Sequence, residues 1–332
     1  MPAVPAQVLS EALLSAVYEA GWSGALVSPI SRHPKIFSIV SPEGSQCLLS
    51  VYVWTLTFGG RVALRNEYRI QMTGVAPPLE ASTDGPTVLL GYEPDLRLFA
   101  GFDLVRHRNF TPGSPSIQVD IGAVRQALQD GLSFYRKTND EISVGIRPDQ
   151  LLAYAFNAAD LHRYGRDARV LPLLVRASSL QPIADAEISV VAPDRQRIIQ
   201  TISRLSRLGN FRQQVLRAYG DRCAVTRMQL RLVDAAHILP VGAPGSLDDV
   251  TNGIALSPTF HRAYDAGLIY LASDYRMIVN QDRVAELQNA NLIGGLETLR
   301  AGLGRILLPP DRRQWPSPTL MQRANRYRGV VV

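Results

Sequence analysis

Four polar side chains that could hydrolyse an ester bond follow one another in the C-terminal half of this sequence. His237 ends the segment DAAH, Asn252 opens NGIAL, and His261 and Asp265 lie four positions apart in FHRAYD. A histidine can take a proton from water near neutral pH, and a histidine with a carboxylate can hold a divalent cation. Hydrolysis of a phosphodiester needs both a base for the water and a cation for the charge that builds on the phosphate.

The local sequence predicts the elements that would position these side chains. Alternating residue types in LRLVDAAHILP predict a strand with His237 near its end. Asn252 and the glycine after it form a turn pair, where an asparagine side chain can bond backbone and fix the loop. His261 and Asp265 share one face of a predicted helix, so they could grip a single ion. The predicted order is therefore strand, loop, strand and helix.

Four segments resemble the HNH endonuclease family, in particular its subgroup with an Ala-Ala-His strand: DRCAVTR, DAAHILP, TNGIAL and FHRAYDAGL. The resemblance covers residues 211–280 and implies a ββα-metal fold. It implies that His237 is the general base, Asn252 the middle asparagine and His261 a metal ligand, with Asp265 as a further ligand. It also implies a one-metal, single-step attack of water on phosphorus that leaves a 5′-phosphate and a 3′-hydroxyl.

Two positions depart from that family pattern. Ala236 stands where many relatives place a metal ligand, and Asp234, two residues earlier on the same strand face, is our candidate to replace it. Cys223 has no partner cysteine nearby, so we expect no structural zinc. The expected cofactor is a divalent cation, Mg²⁺ or Mn²⁺.

The N-terminal residues predict a separate, β-rich α+β domain. Short apolar runs between turn residues over 24–118 predict a sheet, and apolar residues at helical intervals over 120–135 predict a helix packed on it. A polar, proline-containing passage predicts a domain boundary that divides the chain into residues 1–191 and 192–332. The helix that follows this boundary is predicted to end at Gly209.

The charge of the chain suits a polyanionic partner such as double-stranded DNA. The formal net charge is +6, although only Lys35 and Lys137 are lysines, and genome base composition explains such an arginine bias equally well. Four of the arginines are candidate DNA contacts: Arg69, Arg106, Arg108 and Arg212. Arg106 and Arg108 lie in a predicted basic loop. The alternative interpretation is that these arginines are ordinary solvent-exposed surface charges.

Other features bound the location and targeting of the protein. The N-terminal segment predicts an amphipathic helix and not a signal peptide, no segment has the length of a membrane span, and two distant cysteines suit a reducing cytoplasm.

Tyr52 and Trp54 share a strand face, where they either pack in the core or stack on a flipped base.

These patterns favour a metal-dependent DNA endonuclease whose N-terminal domain supplies the targeting. The order of the two domains resembles restriction-type endonucleases, including those that cut DNA with modified bases. A ligand-triggered effector nuclease and a non-catalytic DNA-binding protein are the alternatives. Since one HNH site cuts one strand, a homodimer is one way to cut both.

Overall fold

The computed structural model describes residues 3–61, 63–111, 113 and 115–330 of the 332-residue chain. The chain divides into two compact units, residues 1–209 and 210–332. The division therefore falls later than the predicted boundary near residue 192. No helix among the described residues has the length and apolar character needed to cross a membrane.

The N-terminal unit is built on two sheets. Its strands are β1 (Ser23–Leu26), β2 (Lys35–Val40), β3 (Gln46–Thr55), β4 (Thr57–Phe58), β5 (Glu67–Gln71), β6 (Thr87–Glu93), β7 (Leu98–Phe102), β8 (Ser116–Asp120), β9 (Leu132–Arg136) and β10 (Ile142–Ile146). The larger sheet has the order β1-β2-β3-β6-β7-β10-β9, in which only β3 and β6 pair in parallel, and the smaller has the order β4-β5-β8. This confirms the predicted β-rich region.

Helices cover the larger sheet and connect its strands. They are α1 (Ala6–Glu19), α2 (Leu104–His107), α3 (Ile121–Arg125), α4 (Ala127–Asp130), α5 (Leu151–Ala155), α6 (Ala158–Tyr164), α7 (Leu171–Ser178), α8 (Asp185–Ser189) and α9 (Pro193–Ala218), with a 3₁₀ turn at Pro148–Gln150. The position of α1 confirms the predicted amphipathic N-terminal helix.

Strand β3 separates two hydrophobic cores, because its successive side chains point to opposite faces of the sheet. Val51 and Val53 face a core completed by α1, α5, α7 and the start of α9. Tyr52 and Trp54 face a second core under the small sheet and are 4% and 8% exposed. Both rings lie nearly parallel to that of His33. Core packing is therefore the observed role of Tyr52 and Trp54 in this structure.

Two helix predictions for this region are wrong. The predicted helix over 120–135 is two short helices followed by β9, because Gly131 turns the chain with a φ of 80° and Leu132 then pairs with Ile146. Helix α9 continues through Gly209 without a break. A Cβ on Gly209 would lie 1.9 Å from Nε2 of Gln150, so this glycine permits a close approach of the backbone and does not cap the helix.

The described residues of the C-terminal unit form the end of α9, two short hairpins and four further helices. The strands are β11 (Asp234–His237), β12 (Gly253–Leu256), β13 (Ile269–Leu271) and β14 (Met277–Val279), and the helices are α10 (Pro258–Asp265), α11 (Gln281–Asn289), α12 (Leu296–Ala301) and α13 (Pro318–Tyr327), with 3₁₀ turns at Val250–Asn252 and Arg312–Gln314. Strands β11 and β12 are antiparallel, and α10 follows directly. The predicted α+β class and the ββα order are both confirmed.

Candidate active site

The hairpin of β11 and β12 is packed tightly against the end of α9. Gly253 pairs with His237 in the hairpin, and a Cβ on Gly253 would lie 2.1 Å from Cγ2 of Val215 on the helix. The absent side chain lets α9 approach, and the ring of Phe211 then stacks on that of His237 with 3.8 Å between centroids. Glycine is required here for space, since its φ of −116° suits any residue.

Asp248 fixes the orientation of the His237 ring. Its Oδ1 lies 2.9 Å from Nε2 of His237, and the histidine side chain is only 12% exposed. An ionised carboxylate only accepts hydrogen bonds, so Nε2 carries the proton and Nδ1 keeps a lone pair. Burial lowers the pKa of His237, and the hydrogen bond and charge of Asp248 offset part of that effect. His237 therefore has the protonation state that a general base requires at neutral pH.

Asn252 holds the loop that carries Asp248. The asparagine is completely buried, its Oδ1 accepts from the amide of Leu239, and its Nδ2 donates to the carbonyls of Leu239 and Leu247 and to Oγ of Ser246. These bonds join the end of β11 to the loop just before Asp248. The structure thus places Asn252 where it shapes the site through the backbone and does not line the groove itself.

The three predicted metal ligands form a row with His261 in the middle. Oδ2 of Asp234 lies 3.5 Å from Nδ1 of His261, and Oδ2 of Asp265 lies 3.3 Å from Nε2 of the same ring. The two carboxylates face different ring nitrogens, so one ion cannot use all three side chains in this arrangement. Within the described parts of the chain, no group of three His, Cys, Asp or Glu side chains is placed to hold a metal ion.

The donors nevertheless fit a cation bound by two side chains. Neighbouring ligands of an octahedral cation with bonds of about 2.1 Å lie ~3 Å apart, close to the spacing on either side of His261. Mg²⁺ keeps several waters and takes only one or two protein carboxylates beside substrate phosphates. Carboxylate oxygens suit Mg²⁺ and Mn²⁺, whereas an imidazole nitrogen is a ligand of transition-metal ions. His261 and one neighbouring carboxylate could therefore hold a divalent cation whose other ligands are water and phosphate.

Arg212 occupies the outer side of Asp234. Its Nη1 lies 3.4 Å from Oδ1 of Asp234, and its Nη2 donates to the carbonyl of Val233. Burial by itself raises the pKa of Asp234, but the hydrogen bond from His261 and the charge of Arg212 lower it on balance. Arg212, identified in the sequence as a DNA contact, thus has an internal contact that holds a site carboxylate.

A groove of about 520 Å³ passes over these side chains. His237, His261 and Asp265 line it, together with Arg283, Tyr327 and Arg328 from the C-terminal helices. Asp234 is not among its lining residues. His237 and the His261–Asp265 pair therefore share one solvent-accessible space, and Asp234 contacts the opposite ring nitrogen of His261.

The other predicted DNA contacts belong to the N-terminal unit. Arg106 and Arg108 are exposed, but Arg106 lies in helix α2 and not in a loop, because Asp103 caps that helix by accepting from two backbone amides. Arg106 also donates to the carbonyl of Asn139. Arg69 lies in β5 and is half-buried.

Sequence analysis assigned no role in this site to two residues, Phe211 and Asp248. Phe211 lies on a helix, where an apolar side chain is ordinarily a core residue, and Asp248 lies in a loop. An aspartate in a loop after a strand, like Asp248, is ordinarily a turn residue. Only its distance to His237 distinguishes it.

Comparisons with known proteins agree with the geometry. Residues 223–272 match the family model described as HNH endonuclease, and residues 48–155 match the one described as Methylase-associated X1. No curated protein matches the sequence. Among solved structures, the chain is similar to "Modification dependent TagI restriction endonuclease", with 12% identity, a TM-score of 0.30, and coverage of 87% of this chain and 84% of that chain. The two family matches assign an HNH endonuclease domain to the chain, which makes it a nuclease. They also assign a methylase-associated X1 domain to its N-terminal unit.

Proposed function

We propose that this nuclease is a metal-dependent DNA endonuclease of a restriction or defence system. The observation that carries the proposal is the groove in which His237, oriented by Asp248, lies beside His261 and Asp265. HNH nucleases generally use a divalent metal, and the groove supplies both the base and the donors for it.

His237 takes the proton of the attacking water in this proposal. Its Nδ1 has the lone pair, and the Asp248 carboxylate stabilises the imidazolium that results. The stack on Phe211 keeps the ring in place without competing for the proton. The water oxygen bonds to phosphorus as the bond to the 3′-oxygen breaks, and a solvent water protonates the departing oxygen, which leaves a 5′-phosphate and a 3′-hydroxyl.

His261 and Asp265 would hold the cation, Mg²⁺ or Mn²⁺, because both line the groove. When bound, the cation supplies charge that stabilises the phosphate oxygens and the leaving oxygen. Oδ2 of Asp234 accepts a hydrogen bond from Nδ1–H of His261, so that Nε2 presents its lone pair to the groove. This arrangement revises the expected role of Asp234 from metal ligand to a residue that orients a ligand.

The N-terminal unit would direct the nuclease to its DNA. The HNH chemistry contacts phosphate, which carries no sequence information, so another part of the chain must discriminate. Exposed Arg106 and Arg108, with Arg69, are the candidate contacts to double-stranded DNA. The description of its family as methylase-associated supports a substrate distinguished by base modification. Free cysteines at 47 and 223 agree with a reducing cytoplasm.

One observation favours a ligand-triggered effector as a second candidate. The N-terminal unit has a cavity of about 630 Å³ lined by Arg65, Asn66, Gln118 and Tyr135, among others. Lys137 and the carboxylates of Glu67 and Asp120 also line it, so the cavity could bind a small polar signal that carries both donors and acceptors. Cleavage by the purified protein with no added small molecule would exclude this candidate.

The deciding experiment compares plasmids with cytosine, 5-methylcytosine or 5-hydroxymethylcytosine, digested with Mg²⁺ or Mn²⁺ and sequenced at the ends. We expect cleavage that depends on the cation and leaves 5′-phosphates, and His237→Ala should reduce the rate by about 1,000-fold or more. His237→Ala should still bind DNA in EDTA, which shows that it is folded. Equal cleavage by the variant and the native protein would refute the mechanism, and a difference between plasmids would identify the target. Sedimentation of the protein with and without DNA would test the homodimer.

A further inference from the structure

Arg328, just after helix α13, carries a buried charge at the wall of the catalytic groove. Its side chain is only 6% exposed, although it lies close to the C-terminus. An arginine is always charged in proteins, so burying it requires partners for its donors. The residue lines the same groove as His237 and His261.

Most of the guanidinium group is fixed by the protein. Nη1 donates to the carbonyl of Ile238, the residue directly after His237, at 2.7 Å. The group also lies over the ring of Tyr264, with 4.2 Å between Cζ and the ring centroid. These contacts hold Arg328 against both the strand of the general base and the helix of His261.

The second amino group is different. Nη2 is buried and has no hydrogen-bond partner within the described residues, and the nearest carboxylate oxygen, Oδ1 of Asp265, is 3.8 Å away. Buried donors are nearly always bonded, so an exception needs a physical explanation. A ligand that supplies the missing acceptor in the groove would provide one.

We propose that Nη2 of Arg328 donates to a non-bridging oxygen of the phosphate being cleaved. In the free protein, Asp265 partly neutralises Arg328. If Asp265 holds a cation together with His261, its charge is shared with that cation, and a phosphate oxygen would be the acceptor for Arg328. The planar, rigidly held guanidinium suits phosphate better than an ammonium group does. Arg328 is thus a catalytic residue, and this inference rests on the proposed DNA cleavage.

The test compares three variants of the full chain with the native protein. Arg328→Met removes the charge, and Arg328→Lys keeps the charge but not the planar group. Arg326→Met is the matched control, because Arg326 is an exposed arginine in the last turn of α13 that lines a different cavity, away from the groove. Cleavage of plasmid DNA is measured under single-turnover conditions, and DNA affinity is measured in EDTA over a range of salt concentrations.

We expect Arg328→Met and Arg328→Lys to cleave about 100-fold more slowly, as when one donor to a developing oxyanion is lost. Arg328→Met should also reduce the slope of log affinity against log salt concentration by about one phosphate contact. Arg326→Met should keep the native cleavage rate. A purely structural role would lower the melting temperature without changing the salt slope. If Arg328→Met does not fold, the cleavage rate of Arg328→Lys tests the proposal.

The failure of each idea is recognisable. Native cleavage and salt slope in the Arg328 variants, or the same losses in Arg326→Met, would overturn the role of Arg328 alone. A native protein that binds DNA but cuts none of the three plasmids with either cation would overturn the proposed function first.

Discussion

The Oδ1 atom of Asp248 lies 2.9 Å from Nε2 of His237, although the two residues come from a loop and a strand. This contact orients the imidazole ring, because it fixes which ring nitrogen carries the proton. If His237 is the general base that we propose, catalysis depends on the loop between the two strands as well as on the strands.

Loss of Asp248 should reduce both the rate and the apparent pKa of the reaction. We expect Asp248→Ala to lower the cleavage rate by about 10- to 100-fold, as for other carboxylates that orient a functional histidine. Asp248 raises the pKa of His237, so its removal lowers that pKa further. Because the neutral base is active, the acid limb of the rate profile should move to lower pH, as a pH series under single-turnover conditions would measure. The control is Asp249→Ala, at the neighbouring residue that caps a 3₁₀ turn. This variant should leave the pH of the acid limb unchanged.

The roles of Asp234 and Asp265 can be separated by their amide variants. Asp234→Asn keeps an oxygen that accepts from His261, whereas Asp265→Asn removes a charged ligand. We expect Asp265→Asn to raise the Mn²⁺ concentration for half-maximal cleavage at least about 10-fold, and Asp234→Asn to raise it less than about 5-fold. The reverse order, obtained by metal titration, would restore Asp234 as the direct ligand.

Asn252 should contribute strongly to stability. Asn252→Ala removes the acceptor of the buried amide of Leu239 and the side-chain donor to the carbonyl of Leu247, which costs about 2–4 kcal/mol of unfolding free energy. Because the loop with Asp248 is loosened, cleavage should also decrease below the melting transition. Asn280→Ala is the control, since it removes another buried amide that bonds Gly267 and lies outside this loop. Urea denaturation would show a loss for both variants, and an unchanged cleavage rate in Asn252→Ala would argue against the loop's role.

The N-terminal unit should lose stability in mild acid because of His162. Burial lowers the pKa of this histidine to about 4 in the folded protein, against about 6.5 in an unfolded chain. Between these values only the unfolded chain binds the proton, so stability is complete above pH 6.5 and decreases by about 3 kcal/mol as the pH approaches 4. His162→Gln should melt lower at pH 7 but depend less on pH. His33, whose pKa is also about 4 because of burial, would supply the remaining slope. A melting series with the same slope in the variant would contradict this assignment.

Much of the fold followed from local pattern, and the errors have physical causes. Alternating apolar residues predicted the sheet, since one face of each strand must be buried. The helix predicted over 120–135 is partly a strand because pairing of Leu132 with Ile146 outweighs local periodicity. Gly209 looked like a helix end, but a glycine that lets two segments approach cannot be distinguished from a cap without knowing its neighbour.

For the site, the sequence by itself determined the nuclease class, because His237, Asn252 and His261 occur in a fixed order on a short strand, loop and helix. Only the tertiary structure decided how these residues are arranged. It joined Asp248 to His237, placed the two carboxylates at different nitrogens of His261, and brought Arg328 to the groove from near the end of the chain. The physical reason is that ring orientation and charge pairing depend on distances of a few ångströms between segments far apart in sequence, and no local spacing encodes those distances.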